Sequence, residues 1–142
     1  MDRDERCARV ADGLMNYLTF RAYGCLAVPV ERYHSPGPQT FHSPIPQSVE
    51  IYSALESRIR KMVGELGWYI LVQAYHPEGR YFPKGKTLPE EGVDMMVPNW
   101  EGLQRELFGT LKHKGETDAE RIAYVCLNRI SYLIYPRPTS VS

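Results

Sequence analysis

A tandem proline-rich segment between His34 and Val49 limits the folds open to this chain. The motif His-Ser-Pro-x-Pro-Gln occurs at 34–39 and again, eight residues further on, at 42–47. Proline fixes φ and has no backbone N–H, so four prolines within eleven residues exclude a helix or an internal strand there. We therefore expect an extended arm or loop, partly in the polyproline II conformation, over residues 34–47.

The residues before the arm predict a helix followed by a short strand. Asp2 and Glu5 resemble a capping box, apolar residues follow at helical spacing, and Gly24 provides a left-handed stop. These features predict a helix over residues 3–23. The stretch CLAVPVERY, residues 25–33, alternates apolar side chains with a period of two, and its proline suits an edge strand.

The residues after the arm predict a second helix and a central strand. Ser48 is a suitable N-cap, and apolar residues recur at helical spacing as far as Leu66, before Gly67. The run WYILVQAYH, residues 68–76, is almost entirely β-prone and has the length of a strand buried on both faces. Together with the strand at 25–33 it predicts a βαβ unit with two parallel strands.

The last third of the chain predicts two further helices. Asn99 is an N-cap for a helix whose basic last turn, residues 112–114, complements the helix dipole. Thr117 and Glu120 form a capping box for a last helix, which must end before Pro136. Its final stretch, ISYLIY, is also compatible with a strand.

These elements together predict an α+β fold. Residues 77–92, which contain three prolines and three glycines, form a long loop, and VDMMV at 93–97 is a further short strand. A small sheet of about three strands, with 68–76 at its centre, then packs against about four helices. We expect a single domain spanning residues 1–142.

The composition of the chain limits which partners it can bind and which cellular compartment it is expected in. Seventeen basic residues balance seventeen acidic ones, so the overall charge does not favour nucleic acid or an anionic membrane as the partner. Three widely spaced cysteines are typical of reduced thiols, and the charged N-terminus lacks the apolar run of a signal peptide. We expect a cytoplasmic protein, or one inside a particle assembled in the cytoplasm, with no membrane partner.

The arm itself predicts a protein-binding role. It contains two Ser-Pro steps, and extended proline-rich segments bind grooves with little loss of conformational entropy. The function favoured by the sequence is a non-catalytic interaction or structural subunit of a larger assembly, whose partner is another protein or further copies of itself. Alternatively, the arm packs back onto its own domain. The predicted partner-binding residues are His34, Pro36, Pro38, Phe41, His42, Pro44, Ile45 and Pro46.

An enzyme is the main alternative. His76, Glu78 and Arg80 lie within five residues at the end of the predicted central strand, and their side chains can supply acid, base and anion-binding groups. Such a set would suit a small hydrolase or transferase. Cys25 paired with an arm histidine is a further nucleophile hypothesis.

A second alternative is anion or nucleic-acid binding by a basic loop. The segment GRYFPKGKT, residues 79–87, ends like a phosphate-binding loop but lacks its first glycine. Arg80, Lys84 and Lys86 would then bind an anion without a nucleotide fold. The four histidines form no close pair of the kind found in zinc sites, so we predict no metal and no cofactor.

Overall fold

The structure is a computed structural model that describes residues 2–24, 45–83, 97–109 and 117–135. These residues form four helices, and the described part of the chain contains no strand. The predicted α+β fold with a three-stranded sheet is therefore wrong. The helices are α1 (Arg3–Tyr23), α2 (Gln47–Tyr75), α3 (Trp100–Phe108) and α4 (Asp118–Ile134).

The predicted central strand at 68–76 is wrong because these residues continue α2. Their burial follows the helical spacing of three and four residues, not the period of two typical of strands. The buried residues of this part of α2 are Gly67, Ile70, Leu71, Ala74 and Tyr75. Without this strand the predicted βαβ unit is also wrong, because its crossover helix and its second strand are one interrupted helix.

The interruption of α2 lies at Gly64, where φ is 80° and ψ is 174°. This combination is essentially restricted to glycine. The sequence predicted a helix end before Gly67, but the chain resumes a helical path directly after Gly64. Gly67 instead brings two helices together, since a β-carbon at this position would lie 2.9 Å from the Cys126 sulfur.

The ends of the other helices follow their capping residues. Asp2 accepts the amide of Glu5 at 2.8 Å, and Gly24 is left-handed with φ of 77°, which confirms the predicted bounds of α1. Asn99 and Thr117 cap α3 and α4 as expected. The predicted cap of α2 is wrong, because Pro46 precedes its first residue and no side chain caps it.

Two of the predicted ends need correction. Helix α3 stops at Phe108, where Gly109 adopts a left-handed conformation, so it does not extend to the basic residues 112–114. Helix α4 remains helical as far as Ile134, so the strand alternative for its final stretch is wrong. The predicted strand at 25–33 lies outside the described residues, as do residues 93–96 of the short strand.

Helix α1 and the first half of α2 run in the same direction. The carbonyl of Val10 accepts the Tyr52 hydroxyl at 3.3 Å. Two turns further along α1 and one turn further along α2, Tyr17 donates to Glu56. The Tyr17 and Tyr52 rings are stacked with their centroids 6.1 Å apart. Parallel neighbouring helices require a return connection, which residues 25–44 provide.

A buried arginine joins the first helix to the last. Arg6 is 8% exposed and donates to the Ser131 hydroxyl at 3.2 Å, to the Ser131 carbonyl at 3.4 Å and to the carbonyl of Tyr135. Its guanidinium also lies 4.2 Å from the centroid of the Tyr132 ring. A cation at this position complements the negative end of the α4 dipole. It adds a second donor to the Ser131 carbonyl, which already accepts the Tyr135 amide, and it binds the carbonyl of Tyr135, the residue that caps α4.

The core lies between all four helices. Fully buried side chains from each helix meet there, including Leu14, Ile70, Leu103 and Ile130. Gln104 is also buried; its side-chain oxygen accepts the amide of Ala119 at 2.9 Å and so satisfies the first turn of α4. The polar surfaces described next lie around this core.

Candidate functional site

An open groove of about 1100 Å³ separates the C-terminal half of α1 from the first half of α2. We call it the α1–α2 groove. Its walls include Tyr17, Phe20 and Arg21 on α1 and Ile45, Val49 and Ser53 at the start of α2.

The charged end of the groove is organised around one carboxylate. Glu56 accepts hydrogen bonds from the Tyr17 hydroxyl and from the guanidinium groups of Arg21 and Arg60. Partial burial opposes ionisation, but the three donors outweigh it and lower the pKa of Glu56. We call these four residues the Glu56 cluster; two cations and one anion leave this end of the groove net positive.

Arg60 also links the groove to the second half of α2. Its guanidinium lies 5.2 Å from the centroid of the Trp68 ring, on the far side of the break at Gly64. A smaller cavity of about 300 Å³ continues from there between the two helices and reaches His76. Arg60 therefore has both an acidic and an aromatic contact.

Only two of the predicted partner-binding residues are described, at the foot of the arm. Ile45 is 51% exposed, at the edge of the α1–α2 groove. Pro46 is extended, with φ of −61° and ψ of 147°, and directly precedes α2. The remaining predicted residues, which lie outside the described part of the chain, are His34, Pro36, Pro38, Phe41, His42 and Pro44.

The residues of the enzyme alternative form the turn that ends α2. The His76 Nδ1 accepts the amide of Glu78 at 2.9 Å, and the Glu78 carboxylate accepts the Tyr23 hydroxyl at 3.1 Å. The Arg80 guanidinium instead contacts Glu106 at 3.4 Å. The three side chains are neighbours along the chain, but each contacts a different group.

A second carboxylate with aromatic donors lies beside this turn. Glu106 accepts hydrogen bonds from the hydroxyls of Tyr69 and Tyr81 and from Arg80. The hydrogen bond from Tyr69 contributes most to lowering the pKa of Glu106. Of the three residues proposed to bind an anion, Arg80 therefore already contacts a carboxylate, while Lys84 and Lys86 lie outside the described residues.

The Glu56 cluster was not foreseen from the sequence, although two signals pointed to it. Glu56 and Arg60 are four residues apart on one helix, the spacing that pairs opposite charges. The chain also has ten tyrosines against four phenylalanines, which indicates aromatic side chains with hydroxyl groups to satisfy. Neither signal shows that Tyr17 and Arg21 of another helix reach the same carboxylate.

A further exposed apolar surface lies on α4. Val125 and Tyr124 are each 40% exposed, and Tyr132 is 37% exposed. Val125 and Tyr132 are two turns apart and lie on the same side of the helix. This surface is separate from the α1–α2 groove, because α4 contributes no residue to the groove lining.

Comparison of the chain with protein-family models, with curated proteins and with solved structures finds no match. Of the helices in the described ranges, none combines the length and the apolar character needed to cross a membrane. Within the same ranges no three His, Cys, Asp or Glu side chains are grouped so as to hold a metal ion. The function must therefore be argued from the residues themselves.

Proposed function

We propose that the protein is a non-catalytic interaction or structural subunit of a larger assembly and that it docks through the arm at residues 34–47. Its partner is another protein or further copies of this chain. The assembly forms in the cytoplasm or in a particle assembled there. Buried Cys7 and Cys126, both free thiols, are in keeping with a reducing compartment.

The exposure of Ile45 carries this proposal. A large aliphatic side chain at the end of a proline-rich segment is half exposed at the edge of a groove with aromatic walls. Apolar side chains exposed beside a concave surface are typical of interaction sites. Proline-rich segments bind such surfaces at low entropic cost because their extended backbone is already restricted.

The parallel arrangement of α1 and α2 decides how the proposal is tested. Deleting the arm would remove the return connection between the two helices, so we would instead replace residues 34–44 by a Gly/Ser sequence of equal length. Native mass spectrometry of the full chain is expected to show an oligomer, and the replaced chain is expected to be monomeric.

The α4 surface supplies the matched control. Val125→Asp places a charge on an exposed apolar position outside the groove and is expected to leave the oligomer intact. The same oligomeric state for the intact and the arm-replaced chain would contradict the version of the proposal in which the partner is a further copy of this chain. Dissociation caused by Val125→Asp alone would assign the contact to α4 instead.

A further inference from the structure

The α1–α2 groove lies on the path that the return connection has to cover. Tyr17 and Tyr52 are at the same level, Gly24 lies seven residues beyond the first, and Ile45 lies seven residues before the second. At about 1.5 Å per helical residue, the two ends of the connection are separated by about 20 Å along the helices. The twenty-one peptide steps from Gly24 to Ile45 can extend to about 70 Å, so the connection is long enough to follow this path.

Both ends of the groove coincide with the two ends of this connection. Arg21 lines the groove three residues before Gly24, where the first described range ends, and Ile45 lines it as the first residue of the next described range. A segment that returns from Gly24 to Ile45 by the shortest path therefore follows the groove. This placement favours the chain's own segment as the occupant over an unrelated peptide.

We propose that the α1–α2 groove is the docking site for residues 34–44 of the same chain, bound in an extended proline-rich conformation. The tandem repeat supports this occupant. In its second copy, Ile45 and Val49 line the groove; the corresponding positions of the first copy are Gly37 and Phe41. The arm therefore carries an aromatic side chain, Phe41, at the repeat position that the groove-lining Val49 occupies in the second copy.

The spacing of residues along the arm also matches the spacing of residues along α2. A polyproline II segment rises about 3.1 Å per residue, so Phe41 reaches about 12 Å from Ile45. The two extended residues before α2 and about four residues of the helix cover the same distance, which brings Phe41 level with the stretch between Val49 and Ser53 in the wall of the groove. Docking would present the outer side of the arm, with its two Ser-Pro steps, in a fixed conformation for a partner.

This inference uses the arm of the proposed function, but its test does not depend on assembly. A fluorescent peptide of residues 33–46 is titrated into the intact chain and into the chain with the equal-length Gly/Ser replacement. We expect the replaced chain to bind the peptide and the intact chain to bind at least about tenfold more weakly, because the tethered copy competes at a high effective concentration.

Two tryptophan substitutions test whether the peptide uses the groove. Ser53→Trp fills the middle of the groove and should weaken peptide binding to the replaced chain at least about tenfold. Arg58→Trp, at an exposed position of the same helix that does not line the groove, should leave binding unchanged. Equal effects of the two substitutions would overturn the proposal.

The remaining outcomes are equally decisive. Absence of peptide binding to a replaced chain with native helical circular dichroism would overturn the proposal. Equal binding to the intact and the replaced chain would show a groove open to a different protein. A dimer of the intact chain that Ser53→Trp dissociates would assign the groove to the arm of a second copy; both results would overturn docking within one chain.

A measurement on the full chain keeps the proposal testable if the replaced chain does not fold. Trypsin cleaves after Arg32, close to the proposed docked segment. Ser53→Trp in the otherwise intact chain should accelerate this cleavage at least about tenfold, while Arg58→Trp should not. An unchanged rate in Ser53→Trp would overturn docking in the groove, whereas the oligomeric state bears only on the proposed assembly role.

Discussion

The break in α2 at Gly64 predicts that Gly64→Ala destabilises the protein, whereas the same substitution in a continuous helix would stabilise it. Alanine at φ of 80° and ψ of 174° is strained by about 1–3 kcal/mol. Alanine also restricts the unfolded chain more than glycine does, and this lower entropy of the unfolded state offsets about 0.4–1 kcal/mol of the strain. Among the described residues, no atom lies within 4 Å of the added β-carbon, so the backbone alone determines the cost. We expect Gly64→Ala to lower the free energy of unfolding by about 1–2 kcal/mol.

Urea denaturation of the full chain, followed by far-ultraviolet circular dichroism, measures this difference. Glu65→Ala, at the exposed neighbouring position, is the control and should change the free energy of unfolding by less than about 0.5 kcal/mol. In a continuous helix, Gly64→Ala would instead stabilise the protein by about 1 kcal/mol, since alanine is the better helix former. Stabilisation of that size would refute the break.

Three further predictions concern the contacts between helices. Arg6→Ala should lower the free energy of unfolding by roughly 2–4 kcal/mol, because it removes charged hydrogen bonds to the end of α4. The free energy of unfolding of Arg6→Lys should lie between those of Arg6→Ala and the natural chain. Equal stability of all three chains in a denaturant melt would contradict this. The pKa of Glu56 is lowered in the folded chain, so its ionised contacts stabilise fully above its ordinary value of 4.5 and are lost as the pH falls through the folded value. The stability difference between the natural chain and Glu56→Gln should therefore shrink from about pH 6 to about pH 3, and a constant difference would count against the cluster. Gly67→Ala should cost about 1–3 kcal/mol by forcing α2 away from Cys126, and a double-mutant cycle with Cys126→Ala should recover part of that cost; additivity of the two changes would show that the sulfur is not the obstacle.

Helix positions could be predicted wherever a local signal sets them. The ends of α1 follow from Asp2 and Gly24, and the starts of α3 and α4 follow from Asn99 and Thr117, because a cap depends only on residues within one turn. Tertiary contacts were harder to foresee. The run at 68–76 is rich in β-prone residues, yet neighbouring helices bury it along one helical face.

Glycine was the most ambiguous signal within α2. Gly64 and Gly67 are three residues apart, and nothing local distinguishes the one that interrupts the helix from the one that packs against α4. The first needs a positive φ, whereas the second needs the absence of a β-carbon beside Cys126. The second requirement is set by the partner helix, as is the approach of Tyr17 and Arg21 to Glu56.

The anchoring of Arg6 at the end of α4 also sets an order of events during synthesis. The carbonyls that it binds belong to residues 125 and 129 positions later in the chain. At about 5–20 residues per second, the ribosome completes them roughly 6–25 s after Arg6. Until then the guanidinium stays hydrated and the face of α1 that packs against α4 is uncovered. A nascent chain interrupted before Ser131 would keep this face exposed, as a substrate for chaperones and proteases, so the last helix determines when this face of the first becomes protected.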